Sequence, residues 1–430
     1  MKKYLLNSII IIIDILFLIA LFYLTTSITH VFNEFLLQDF YFIIFIIVAL
    51  MYYEKIYSLR YDFWQEIKMI LKSVVISYML VLALLTLSKT SLEYSRLFIS
   101  LYFLFVVLLL PVLKRFTKRF IYSFIFFKKK VLIVGVKDQV DILKKEFEDN
   151  WYLGMQYCKN NYDTVIITSK GMPIDETSKN ITKYLDKNSS VYVVPYVSNI
   201  NFANSEIMEY SNIRYNTIHI ENKLLVKKNI WIKKLFDILA TVIILPFFLL
   251  FHLIILIVIK LDSPGSIFFK QHRLGKNDID FECYKYRTMY ENSDALLQKY
   301  LQKNPDEVEY YEEYHKYKND PRITKIGKFL RTSSLDELAQ IINVLKGEMS
   351  LVGPRPYMLT ESCKLGDNQN FILKVNPGIT GLWQVSGRNN LTFKERNELE
   401  VWYINNWSLW ADFVILMKTI KVVFSRIGAK

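Results

Sequence analysis

The first 113 residues constrain the fold most. They hold four apolar stretches, about Leu5–Leu24, Phe40–Tyr53, Ile67–Leu87 and Leu97–Leu113, separated by short polar loops. The first, third and fourth come near the ~20 residues a helix needs to span a bilayer, and the second is shorter. In lipid, a helix satisfies all its backbone groups within one segment, so a bundle of four transmembrane helices is expected over residues 1–127. No small-residue cleavage site follows the first stretch, which reads as a retained span rather than a signal peptide. Across all 430 residues the chain is 52% hydrophobic, high for a soluble protein.

Basic residues set the expected orientation. Lys2 and Lys3 precede the first stretch, and Thr25–Asp39 contains no Lys or Arg. Lys55 and Arg60 follow the second, while Lys114, Arg115, Lys118 and Arg119 follow the fourth. Lys89 and Arg96 dissent weakly. The N-terminus and everything beyond the fourth stretch are therefore expected on the cytoplasmic face. The net charge of +13 suits an anionic membrane face or phosphate-bearing substrates. No nucleic-acid motif accompanies it, so nucleic acid is not an expected partner. Cys158, Cys283 and Cys363 are few and scattered, giving neither a disulfide framework nor a metal spacing. Asp14, inside the first stretch, reads as an acid tolerated in a helical bundle.

The composition changes after Lys128-Lys129-Lys130. Val131–Val136, Thr164–Thr168 and Val191–Val194 are β-branched runs separated by charged, helix-like stretches. That alternation predicts βαβ units and a Rossmann-like α/β domain over residues 128–222. A dinucleotide fingerprint needs three glycines after the first strand, and only Gly135 is present. The domain is expected to serve docking or homodimerisation rather than nucleotide binding.

Phe236–Ile259 looks like a fifth span, but Pro246 interrupts it. Its flanks are basic on both sides: Lys227, Lys228, Lys233 and Lys234 before, Lys260, Lys270 and Arg273 after. Both ends then belong on one face, so a re-entrant helix over 235–260, bent at Pro246, is expected to anchor a mixed α/β domain over 223–430. Asp237 and His252 suit an interface better than a straight span.

Within that last domain, Leu335, Leu338, Ile341, Ile342 and Leu345 recur at helical spacing, and Gly347 stands where such a helix stops. Ser334 is the expected N-cap, which puts Asp336 and Glu337 in the first turn, where free N–H groups favour anions. The same residues equally form an ordinary capping box, Ser334 with Glu337. Other polar groups surround this helix in sequence. Gln271-His272-Arg273-Leu274-Gly275 and Tyr284-Lys285-Tyr286-Arg287 precede it, as do Asp320-Pro321-Arg322 and Arg331. Gly353-Pro354-Arg355-Pro356 and Pro377–Arg388 follow it. Arg273, Lys285, Arg287, Arg322, Arg331, Arg355 and Arg388 all sit near glycines, prolines or turns, where guanidinium and backbone groups can reach a diphosphate.

These motifs, in this order, resemble the bacterial sugar transferase family of monotopic phosphoglycosyl transferases, in its long form. The resemblance covers Trp231 to the C-terminus, and the closing W-Y-I-N-N-W-S-L-W-A-D-F is most similar to members that move galactose phosphate or glucose phosphate. It implies that Asp336 is the nucleophile, that Glu337 helps hold Mg²⁺, and that Pro354-Arg355-Pro356 contributes to nucleotide-sugar binding. It also implies an enzyme of the bacterial inner membrane that passes a hexose-1-phosphate, galactose-1-phosphate foremost, from a UDP-sugar to undecaprenyl phosphate. UMP would be released, at the first membrane step of a surface polysaccharide. Where the family has an Asp before its W-Y motif, this chain has Glu400, and where it bends its membrane helix at Ser-Pro, Leu245 precedes Pro246. Two other readings differ in class. A lipid-linked glycosyltransferase would release UDP and form no covalent intermediate. A transporter or scaffold would leave the polar motifs idle and would show internal repeats.

Overall fold

The computed structural model describes residues 2–29, 40–87, 95–185, 191–196, 202, 205–210, 215–291, 293–304, 306–307, 317, 320–387 and 391–425. They group into two compact units, Met1–Tyr196 and Val197–Lys430. The segment boundaries read from the sequence, after residues 127 and 222, are changes of element type within those units.

The first unit opens with four helices, α1 (Lys2–Thr29), α2 (Tyr41–Tyr53), α3 (Phe63–Leu87) and α4 (Arg96–Ile121). Each carries one stripe inward and leaves the rest of its apolar surface outside. In α1 the stripe is Leu6, Ile10, Asp14, Leu18, Leu21, Phe22 and Thr25. Phe22, Phe40, Phe98 and Tyr102 form an aromatic cluster with ring centroids 4.8–5.6 Å apart. Asp14 has a partner that the sequence does not announce: Lys114 of α4, at 2.6 Å. Glu66 of α3 pairs with Lys118 of α4. Both pairs are nearly inaccessible, and a buried charge is tolerable only when paired in this way.

A parallel sheet follows, ordered β2-β1-β3-β4, built from β1 (Lys129–Val134), β2 (Met155–Tyr157), β3 (Thr164–Thr168) and β4 (Val191–Val194). Helices α5 (Lys137–Asp149) and α6 (Ile174–Leu185) supply the crossovers. Strand β3 is buried along its whole length, as an apolar run in a parallel sheet must be. Gly135 ends β1 so close to Thr168 that a Cβ would overlap its side chain. The turn Trp151–Leu153 seats this sheet on the helices. The guanidinium of Arg115 lies over Trp151, the ammonium of Lys118 over Tyr152, and Gly154, in the left-handed region, lies against Tyr122.

The second unit contains the hairpin β5 (Glu206–Tyr210) and β6 (Tyr215–His219), then α7 (Lys227–Asp262), then the antiparallel pair β7 (Phe268–Leu274) and β8 (Asp280–Tyr286). A short parallel pair, β9 (Ser350–Val352) and β10 (Gly378–Thr380), completes its strands among the described residues. Helix α7 is 36 residues long and continues through Pro246. Its buried stripe is Lys233, Asp237, Thr241, Phe248, Ile255 and Ile259. Leu235, Ile238, Leu239, Val242, Ile243, Phe247, Leu250 and Ile254 are exposed. Helices α1, α3, α4 and α7 are long and apolar enough to cross a membrane, and the chain is a membrane protein.

The expected central helix is not one helix. The helix Lys325–Ser333 ends at Ser334, which adopts the left-handed conformation at φ 59°. A 3₁₀ segment, Leu335–Gln340, and a short helix, Ile341–Lys346, follow. Ser334 makes no capping hydrogen bond to the turn after it, so neither the N-cap nor the capping box forms. Leu345, expected on the buried face, is 49% exposed, because the change from 3₁₀ to α pitch rotates the register. Gly347 ends the segment with φ 79°, as its position predicts.

Candidate active site

Asp336 and Glu337 occupy the first turn of the 3₁₀ segment, which packs against β8. Two contacts set that packing. Buried Asn343 accepts a hydrogen bond from the Tyr284 N–H at 3.0 Å and donates to the Glu282 carbonyl at 2.7 Å, so it bonds β8 like another strand. On the other side, Gly327 lies against the Thr288 carbonyl where a Cβ would collide, and Thr324 caps its helix by accepting from the Gly327 N–H at 2.9 Å.

Cations surround the two carboxyl groups. Lys285 of β8 donates to Glu337 Oε1 at 2.8 Å. Arg331 donates from Nε to Thr288 Oγ1 at 2.8 Å, which holds its guanidinium near Asp336. Burial raises the Glu337 carboxyl, but Lys285, Arg355 and Arg273 outweigh it and hold the group below its usual range. Asp336 goes the other way. Burial, reinforced by the Glu337 charge, pushes it up to about 6 against the pull of Lys285 and Arg331. Its carboxylate receives no side-chain hydrogen bond among the described residues, which leaves its lone pairs available.

The Pro354-Arg355-Pro356 turn closes the other side. Gly353 donates its N–H to Thr380 at 2.9 Å, and Gly378 donates to Pro354 at 2.7 Å. Arg273 donates to the Pro356 carbonyl at 3.1 Å. Glu400 holds the middle of the turn: Oε1 accepts the Arg355 N–H at 2.8 Å and Oε2 accepts the Tyr357 hydroxyl at 2.7 Å. Burial pushes the Glu400 carboxyl up to about 7. The Arg355 guanidinium lies over Trp383, 5.8 Å from the ring centroid.

Two adjacent carboxyls, one with no side-chain hydrogen bond among the described residues, thus face Lys285, Arg331, Arg273 and Arg355. Residues 228–426 match the bacterial sugar transferase family. An undecaprenyl-phosphate galactose phosphotransferase of Salmonella typhimurium is 32% identical, over 87% of this chain and 84% of that protein. A UDP-galactose-lipid carrier transferase of Erwinia amylovora is 30% identical, over 87% and 84%. The exopolysaccharide production protein ExoY of Rhizobium meliloti is 43% identical, over 44% of this chain and 84% of its own length. The chain belongs to the bacterial sugar transferase family. It is an enzyme, a phosphoglycosyl transferase.

Not every cation read from the sequence of this transferase converges on the carboxyl pair. The Arg287 guanidinium turns away and donates to the Ser263 carbonyl at 2.7 Å and its hydroxyl at 2.9 Å, beside Glu291. Arg322 is held by Asp320, with contacts of 2.7 and 2.9 Å. Arg388 lies outside the described residues. Arg273, read from the sequence with the other arginines, does reach the site, whereas Asn343 was not read from the sequence and Glu400 was read only as a departure from the family's motif. The partners of Asn343 in β8 and of Glu400 in the turn are 43 to 61 residues away, and nothing local marks them.

Proposed function

We propose that this transferase moves galactose-1-phosphate from a UDP-sugar to undecaprenyl phosphate on the cytoplasmic face of the membrane, at the first membrane step of a surface polysaccharide. UDP-glucose is the second candidate donor. The placement of Asp336, without a side-chain hydrogen bond among the described residues and flanked by Lys285 and Arg331, carries the reading. Asp336 attacks the phosphorus bearing the sugar. The bond to the UMP phosphate breaks, UMP leaves with the electron pair, and an aspartyl-phosphosugar remains. An oxygen of the carrier phosphate then attacks the same phosphorus, and Asp336 returns as a carboxylate. Lys285, Arg331 and Arg355 offset the charge of the diphosphate and of the leaving group.

Asp336 and Glu337 fit Mg²⁺, since they are hard oxygen donors whose mutual repulsion a cation relieves and whose remaining ligands substrate phosphates can supply. When bound, Mg²⁺ stabilises negative charge on the phosphates. Glu337 would be its main protein ligand, through the carboxyl that Lys285 contacts at 2.8 Å.

We also read α7 as re-entrant, bent at Pro246. The support is its buried stripe. Near one end Asp237 accepts from the Ser350 hydroxyl at 2.6 Å and Lys233 pairs with Asp412 at 2.8 Å. Near the other, His252 meets the Tyr286 hydroxyl at 2.6 Å, and Ile255 and Ile259 pack with Tyr286 and Leu330. A helix crossing to the far face would carry one of these ends away from the polar residues it holds. The parallel sheet is read as a Rossmann-like, non-catalytic domain for homodimer contact.

The test is the full chain, purified and given undecaprenyl phosphate, Mg²⁺ and a panel of UDP-sugars. UMP release, fastest with UDP-galactose, is expected. Release of UDP instead identifies a glycosyltransferase and overturns the reading.

A further inference from the structure

At the opposite end of α7 from His252 lies a small cavity of about 40 Å³, lined by Leu224, Ile230, Lys234, Lys276, Val375 and Asn376 among others. That is about three times the least space one water needs. It shares no residue with the carboxyl pair or the cations around it. Lys233, at its wall, meets Asp412 at 2.8 Å and Asp237, which also lines the cavity, at 3.7 Å, so this trio has one more carboxyl than ammonium. Lys234 and Lys276 have no acidic partner among the described residues. These two ammonium groups repel each other and outnumber the one surplus carboxyl of the trio, so the wall is left net positive and suits an anion. Burial, and then the charge of Lys234, lower the affinity of Lys276 for its proton.

The turn that carries Lys276 is built at a cost. Asn277 and Asp278 both adopt positive φ, 57° and 63°, and the Asn277 N–H is tied to the Leu373 carbonyl at 2.6 Å. Consecutive non-glycine residues in that region persist only where the surroundings hold them, and such strain gathers at functional sites. The depth of the cavity is marked by Trp231, 72% exposed one turn before Lys234, whose ammonium lies 5.7 Å from the indole centroid. An exposed Trp beside a Lys, followed by the apolar face of α7, is the pattern of the headgroup layer.

We propose that Lys234 and Lys276 form a site for the phosphate headgroup of a membrane lipid, separate from the carboxyl pair. The inference needs α7 to enter the membrane near Trp231 and holds whether or not it returns. The shared chemistry is a lipid phosphate, and two sources offer it: an anionic phospholipid and a polyprenyl phosphate.

The experiment is native mass spectrometry of the detergent-purified full chain, titrated separately with phosphatidylglycerol, phosphatidylcholine and undecaprenyl phosphate. K234Q/K276Q should weaken retention of an anionic lipid about tenfold, and K234R/K276R should restore it. K144Q/K145Q, which removes the same charge from α5, should retain lipid like the unmodified chain. Loss of phosphatidylglycerol alone assigns the site to a phospholipid, and loss of undecaprenyl phosphate assigns it to the carrier; both support the site. Equal retention by K234Q/K276Q and the unmodified chain overturns it, as does equal loss in K144Q/K145Q. Where phosphatidylglycerol alone is lost, UMP release in neutral-lipid nanodiscs should be unchanged in K234Q/K276Q, which separates this proposal from the transferase reaction.

Discussion

Asp336 and Glu337 are neighbours in the chain with opposite electrostatic fates. Glu337 has Lys285 at 2.8 Å and stays ionised; Asp336 carries the cost of burial and sits near 6. A nucleophile must be ionised, so kcat/KM is expected to fall on the acid side with a limb near pH 6 at low Mg²⁺. Lys285 favours the charged form of both carboxyls. Lys285→Met removes that stabilisation, raises both groups, and should move the acid limb to higher pH; a limb that stays in place separates Lys285 from their ionisation. Asp336→Asn keeps shape and loses the nucleophile, so turnover should drop roughly 10³-fold or more while UDP-sugar binding survives. Glu400 acts through its neighbours. Glu400→Ala leaves the Arg355 N–H without its acceptor and the Tyr357 hydroxyl with only the long contact to Asn397 Oδ1 at 3.4 Å. The loosened turn should raise KM for the UDP-sugar about tenfold, ~1.4 kcal/mol, with a smaller effect on kcat. An unchanged KM with a collapsed kcat would instead place Glu400 in the chemistry.

At the scale of elements, the long helices were legible as extended apolar runs, and β1, β3 and β4 as short β-branched runs, whereas the three residues of β2 were too few to read. Gly347 stopped its helix for a reason visible in the sequence: left-handed φ is cheap only for glycine. Ser334 was not legible. Its composition says N-cap, but the preceding helix Lys325–Ser333 runs directly into it, and it serves as the left-handed end of that helix. Asp336 and Glu337 therefore project from a 3₁₀ turn set by Lys285 and Asn343, contacts that only tertiary packing supplies. Strands β9 and β10, three residues each, are too short to show a period, yet they carry the Pro354-Arg355-Pro356 turn. Helix α7 offers a direct test of its bend. Single cysteines at Lys228 and Ser266, in a background without native cysteines, should both resist an impermeant thiol reagent outside intact cells and react once cells are opened. Pro246→Leu should let some chains cross and expose position 266. Labelling of position 266 from outside in the unmutated helix contradicts the re-entrant reading.

At the scale of the whole chain, the matched family region, residues 228–426, falls within the second compact unit, and ExoY aligns over 84% of its own length with only 44% of this chain. The four N-terminal helices and the parallel sheet form the other unit, held together by Trp151, Tyr152 and the basic end of α4. The proposed mechanism passes through a covalent intermediate, and that intermediate leaves mass behind. The decisive measurement is intact-protein and peptide mass spectrometry of the full chain after brief mixing with UDP-galactose and Mg²⁺ in the absence of undecaprenyl phosphate. Expected is a hexose-phosphate adduct on the peptide containing Asp336, formed with one equivalent of UMP, absent from Asp336→Asn, and discharged when undecaprenyl phosphate is added. An enzyme that turns over with the complete substrate set yet never carries the adduct, or carries it in Asp336→Asn, contradicts the mechanism.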